Sequence, residues 1–227
     1  MAGNPIALII GSGPGVSSSL ARLLHGKGYD IALAARNTDK LMTLAEETHA
    51  DCYSCDSSNR ESVEKLFASL SAAPDVMIYN PSYRTRGPLI DLDPDEVQKT
   101  LQITAFGAFL AAQQAARGML ARGSGTIIFT GASAGVKGYP QSAPFAMGKF
   151  AMRGLAQSMA RELHPQNIHI GHVVIDGGIK SDRRPDEPGA DKLLDPDAIA
   201  ESYWHLIQQP RSSWSWEIEV RPWLEKF

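Results

Sequence analysis

The stretch IALIIGSGPGVSSSLARLL, residues 6–24, decides the fold. Five apolar residues, Ile6 to Ile10, have the length and composition of a buried strand, and a helical pattern starts at residue 16. Between them lies GSGPG. Glycine is needed where a chain turns sharply and where backbone N–H groups must approach a pyrophosphate without a Cβ in the way, and the helix N-terminus adds partial positive charge. The strict pattern G-x-G-x-x-G fails, because Val16 stands where the third glycine would fall. The pattern G-x-x-x-G-x-S fits, with Gly11, Gly15 and Ser17, and makes Gly11, Ser12, Gly13, Gly15 and Val16 a candidate phosphate cradle. A plain glycine turn is the alternative, and the strand–turn–helix context weighs against it.

Outward from this unit, short apolar runs alternate with longer stretches of helical spacing. The runs predict strands at 6–10, 31–35, 51–54, 76–79, 126–130, 169–175 and 217–221. The intervening spacing predicts helices near 16–27, 38–48, 60–71, 95–121, 145–163 and 196–208. Such alternation means parallel strands joined by right-handed crossovers, an α/β doubly wound sheet with helices on both faces. The 227 residues suit one domain over 1–227. SDRRPDEPGADKLLDP, residues 181–196, is rich in Pro, Gly and charge and reads as a surface loop that shapes a substrate pocket.

A net charge of −3 leaves no excess of Lys and Arg to hold a nucleic-acid backbone. The N-terminal MAGNPIALIIGSG has too short an apolar run, and no basic residue before it, for a signal peptide or a membrane span. A cytoplasmic protein is the expectation. The pair Cys52 and Cys55 lies on an apolar strand without further cysteines, so reduced, inert thiols are expected rather than a redox pair. The six histidines show no i, i+4 pairing, and no metal is expected. Two helical segments, LQITAFGAFLAAQQAA and FAMGKFAMRGLAQSMA, carry apolar or small side chains nearly all round. Helices near 95–121 and 145–163 are therefore the expected contact of a homodimer or homotetramer, with coverage by loops of the same chain as the alternative.

The second strand ends Ala34-Ala35-Arg36-Asn37. A carboxylate here would accept hydrogen bonds from a ribose 2′-OH, whereas a cation suits a 2′-phosphate. Arg36 therefore points to NADP(H) over NAD(H), unless it is only a surface arginine closing a strand.

Glycine motif, FAMGK and their separation together make the chain resemble the short-chain dehydrogenase/reductase superfamily over nearly its whole length, with a Rossmann-type fold implied. The family's T-G-x-x-x-G-x-G has Ile10 for its Thr and Ser17 for its last Gly. By the resemblance, Asp56 and neighbouring Ser57 stand where the adenine is held, and Asn80 and Pro81 where the family has N-N-A-G. Gly177, Ile179 and Ser181 stand where the family faces the nicotinamide, Ile179 through its backbone N–H. Lys149 keeps the lysine that holds the nicotinamide ribose. The family's catalytic Tyr, Ser and Asn positions carry Phe145, Ala132 and Thr104. Loss of a general acid typically forfeits a factor of about 10²–10⁴. Ser133, Tyr139 and Tyr83 are candidate replacements. The resemblance thus implies an NADP(H)-dependent oxidoreductase acting on a small carbonyl or alcohol with a non-standard proton donor, or else a catalytically silent NADP(H)-binding sensor or interaction protein. For the second, the Trp-rich end SSWSWEIEVRPW would offer a surface.

Overall fold

Strands buried on both faces read as near-continuous apolar runs, and such runs build the centre of the molecule. A computed structural model describes residues 3–187 and 189–225, so Pro188 of the 181–196 stretch lies outside the described residues. The strands are β1 (Ile6–Ile10), β2 (Asp30–Ala35), β3 (Asp51–Ser54), β4 (Val76–Tyr79), β5 (Gly125–Thr130), β6 (Ile168–Ile175) and β7 (Glu217–Val220). They form one all-parallel sheet in the order β3-β2-β1-β4-β5-β6-β7. Successive side chains alternate between its faces. Ala7 and Ile9 pack on one side with α1 (Val16–Gly26), α2 (Met42–Thr48) and α7 (Pro196–Gln208). Leu8 and Ile10 pack on the other with α3 (Arg60–Ser69), α5 (Gly107–Arg122) and α6 (Ala143–Leu163). The result is a single-domain α/β sandwich of three layers.

Helix starts follow local chemistry. The Asn59 side chain accepts from Ser62 N at 2.8 Å and caps α3. In α4 (Pro94–Leu101) and α7 the same Asp-Pro device recurs, with Asp93 or Asp195 as cap and Pro at the first turn. The single helix expected over 95–121 proves to be α4 and α5 joined by a π-helical stretch, Gln102–Phe106. The buried Tyr79 hydroxyl accounts for a partner there, donating to Ile103 O at 2.5 Å. Spacing alone could not reveal this, since one wide turn leaves the apolar pattern nearly intact. No helix among the described residues is long and apolar enough to cross a membrane.

Under α6 runs a buried polar layer. The His172 ring is fully buried, with Nδ1 2.9 Å from Glu217 Oε2. Glu217 also accepts from Arg153 Nε and Nη2, both at 2.7 Å. With its proton on Nδ1, His172 keeps a bare Nε2 that has no partner among the described residues. Burial outweighs the pull of Glu217 and lowers the His172 pKa from 6.5 to about 4. The unfolded chain therefore binds a proton that the folded chain refuses between those values, and stability must fall as pH drops from 6.5 toward 4. Urea titrations at pH 6.5 and 4.5 should show about 2 kcal/mol less pH-dependent loss in His172→Gln than in wild type; equal losses would refute the buried neutral ring.

Candidate active-site cleft

Everything of chemical interest gathers where the strands' C-terminal ends open. β1 leads into Gly11, whose N–H donates to Ala34 O at 2.8 Å, while Asn80 N, after β4, donates to Ile10 O at 3.0 Å. The Asn80 side chain donates to Gly11 O at 3.2 Å and ties the two loops together. At Gly11, φ is +79° and a Cβ would lie 2.6 Å from Pro81 N, so only glycine fits. Gly15, just before α1, has φ +91° and open space where a Cβ would project. Ser17, at the last position of the glycine motif, braces the loop from within: its hydroxyl donates to Gly13 O at 3.0 Å and accepts from Gly13 N at 3.1 Å.

Between these loops lies a cavity of about 630 Å³, lined by Gly11, Ser12, Arg36, Asp56, Ser57, Asn80 and Pro81. Asn37 and Lys40 also line it, so Arg36 has a second cation beside it that sequence reading overlooked. Asn80 and Ser82 carry the wall into a second cavity of about 410 Å³. This one is lined by Gly15, Val16, Ala132, Ser133, Phe145, Lys149, Gly177, Ile179 and Ser181. Gly13 lines neither, though a Cβ there would also meet open space.

Lys149 is 3% exposed and its ammonium has one hydrogen-bond acceptor among the described residues, Thr130 O at 2.6 Å. Burial, and next the charge of Arg84, lower its pKa to about 7. Phe145 is buried beside it, and the Arg84 guanidinium lies 4.0 Å from the centre of its ring. Arg84 went unnoticed in the sequence; the only signal was two arginines in SYRTRG after the Asn80 loop. A third cavity of about 480 Å³ continues outward and shares Arg84, Ser133, Phe145 and Gly177.

The candidate replacements for a tyrosine hydroxyl fare differently. Ser133 lines the second and third cavities, Tyr139 only the third. Tyr83 is turned away, its hydroxyl donating to Glu96 Oε2 at 2.5 Å and accepting from Lys99 at 3.2 Å. Thr104 is fully buried in the π-helical stretch, where its hydroxyl accepts from Tyr83 N at 3.3 Å, and it lines none of these three cavities. The 181–196 stretch is more pinned than a free surface loop. Leu194 N donates to Gly178 O and Lys180 N to Leu194 O, while Ser181 and Arg184 exchange a pair of backbone bonds. Cys52 and Cys55 are free, and burial raises both thiol pKa values. Among the described residues no three His, Cys, Asp or Glu side chains gather as a metal-holding group.

Comparison with known proteins agrees with this geometry. A family profile described as short chain dehydrogenase matches residues 5–188. An uncharacterized oxidoreductase of Staphylococcus aureus is 27% identical over 226 residues, with 96% of each chain covered. A crystal structure of a short-chain dehydrogenase from Rhodopseudomonas palustris superposes with TM-score 0.84 at 32% identity, covering 96% of this chain and 99% of the other. A metagenomic short-chain oxidoreductase solved in complex with NADP gives 0.83 at 25% identity, covering 97% and 98%.

The two glycines make a paired prediction. Gly11→Ala adds a clash with the Pro81 backbone to left-handed strain and should cost about 2 to 4 kcal/mol. Gly15→Ala meets strain alone and should cost about 1 to 2 kcal/mol. Urea midpoints in the reverse order would show that Pro81 does not press on Gly11.

Proposed function

The chain belongs to the short-chain dehydrogenase family, and on that premise we propose an NADP(H)-dependent oxidoreductase that exchanges hydride with a small carbonyl or alcohol and moves the proton without the usual tyrosine. One observation carries this reading. Two cavities that share Asn80 and Ser82 hold the cations Arg36 and Lys40 in one and, in the other, a buried ammonium on Lys149 with one acceptor among the described residues. A buried lysine without a carboxylate is costly unless a ligand completes its hydrogen bonds. Cations at one end and a buried ammonium at the other suit a molecule carrying a 2′-phosphate and ribose hydroxyls. Open space over Gly13 and Gly15 leaves room for its phosphates at the start of α1. The relative solved with NADP supports the same choice of dinucleotide.

When bound, the dinucleotide donates or accepts the hydride and its two electrons. Asp56 and Ser57 hold its adenine end, and Lys149 its ribose. The Ile179 N–H, which has no backbone acceptor among the described residues, would bind a carboxamide. Gly177 and Ser181 shape the same wall. In the reducing direction the carbonyl carbon gains the hydride and its oxygen gains one proton. Phe145 can supply none. Ser133, at the junction of the inner and outer cavities, donates a hydrogen bond to that oxygen, and the proton comes from Lys149 or from water entering through the outer cavity. Tyr139, exposed at the rim, is the second candidate donor. The silent alternative loses one support: Trp214 stacks on His169 at 4.6 Å and Trp216 packs on the core, so much of the Trp-rich end is spent inside the fold.

NADPH fluorescence titration and a carbonyl panel test the reading. Arg36→Glu should weaken NADPH at least tenfold while sparing NADH. Phe145→Tyr should raise turnover, and Ser133→Ala should lower it by about 10²-fold. Absence of NADPH binding refutes the proposal; binding with no turnover in wild type or Phe145→Tyr leaves the silent reading in its place.

The same proposal places subunit contact on the long helices. Phe106 and Phe109 stack with ring centres 6.1 Å apart and stand exposed, as do Met147 and Phe150 on α6. Light scattering should report a homodimer or homotetramer, and Phe109→Glu with Phe150→Glu should lower the mass; a wild-type monomer would refute the contact.

A further inference from the structure

The outer cavity carries a charge pattern that the general reading does not explain. Arg84 and Arg86 come from the loop after β4, and Arg184 from the turn at 181–184. All three line this one cavity of about 480 Å³. The chain as a whole is acidic, at −3, so the concentration of cations is local. None of the three has an ion-pair partner among the described residues. Two carboxylates share the wall. Asp176 is already matched by Lys137 at 3.2 Å and Arg221 at 3.0 Å, which leaves Glu225 as the one unmatched acid against three guanidinium groups.

The arginines are also held in place. The backbone is tied on both sides of Arg84 and Arg86, by Tyr83 N to Thr104 Oγ1 at 3.3 Å and by Gly87 N to Gln141 O at 3.2 Å. Arg184 N donates to Ser181 O at 2.9 Å and Ser181 N returns a bond to Arg184 O at 3.0 Å. Arg84 is further seated on the Phe145 ring. Burial lowers the pKa of Arg84, and the charges of Arg86 and then Arg184 lower it further, a repulsion that only an anion would relieve. Guanidinium forks are matched to carboxylate and phosphate oxygens.

We propose that the outer cavity selects substrates bearing an oxyanion, a carboxylate or a phosphate ester, which Arg84, Arg86 and Arg184 clamp so that the reacting carbonyl lies inward against Ser133 and Phe145. This rests on the oxidoreductase reading for the word substrate, but not for the binding of the anion. A substrate lacking an oxyanion would leave three like charges facing one another across the cavity.

Calorimetry on the full chain, with and without NADP⁺, tests the anion site by itself. The probes are 4-formylbenzoate against its methyl ester, and glyceraldehyde 3-phosphate against glyceraldehyde. At least one anion should bind tenfold or more tightly than its neutral partner, and the winning pair says whether the group is carboxylate or phosphate. That preference should shrink toward unity in Arg86→Gln and in Arg184→Gln, persist in Arg184→Lys, and be unchanged in Arg117→Gln, a residue that lines none of the three cavities. Equal binding of anion and neutral partner in both pairs overturns the proposal, as does a preference that survives both glutamine variants. Circular dichroism melts check that the variants fold. NADPH titration and turnover are read separately, so failure of the oxidoreductase reading appears as lost cofactor binding and failure of the anion site as lost charge preference.

Discussion

The structure depends on the place where β1 and β4 lie side by side and their continuations part. The sheet order puts β1 between β2 and β4, with α1 on one face and α3 and α5 on the other. Loops leaving adjacent parallel strands toward opposite faces cannot close over one another, and a crevice at the carboxyl ends is the geometric consequence. Gly11 is where the separation begins: it still bonds to Ala34 O in β2, yet Pro81 presses so near that no Cβ could be accommodated. The glycine turn, the cations Arg36 and Lys40 and the buried Lys149 are all reached from that crevice. Their order along it follows from the order of the strands that carry them.

Much of this was legible in the sequence because it rests on local rules. Strand–glycine–helix spacing located the glycine turn between β1 and α1, and strand length with helical periodicity located the elements to within a few residues. Arg36 was readable because it follows a strand beside that turn, so its position follows from parallel pairing alone. What could not be read depended on the path of turns and on side-chain packing. Lys40 joins Arg36 only through the turn into α2. Tyr83 and Arg84 are neighbours in the chain and point to different places, one bonded to Glu96 and the other stacked on Phe145. Only side-chain packing makes that choice. The π-helical turn at Thr104 escaped for a related reason, since one wide turn barely disturbs a helical pattern.

Phe145 acquires a different meaning in this setting. A tyrosine there would bring a hydroxyl next to two cations, which would favour its ionised form. Phenylalanine keeps the ring, the face on which Arg84 sits and the exclusion of water from Lys149, while removing the titrating group. What remains at this end of the cleft is positive charge with few counterions. Unpaired charge in a partly buried site costs stability, and a protein tolerates it where a ligand supplies the opposite sign.

That balance links the two halves of the cleft. Lys149 is held near pKa 7 first by burial and then by Arg84, so the charge of Arg84 reaches the ammonium that the oxidoreductase reading assigns to the ribose. An oxyanion seated against Arg84 would offset part of that charge, and the Lys149 pKa would then rise. The lysine would hold its proton more firmly with an anionic substrate in place than without one. Its role would therefore shift toward positioning as the site fills, and the proton for the new hydroxyl would come by way of Ser133 and the water-accessible outer cavity. A neutral substrate would leave Lys149 closer to neutrality and weaken its grip on the ribose. On this argument an anion at the outer cavity would, besides selecting the substrate, favour the charged form of Lys149 that burial disfavours.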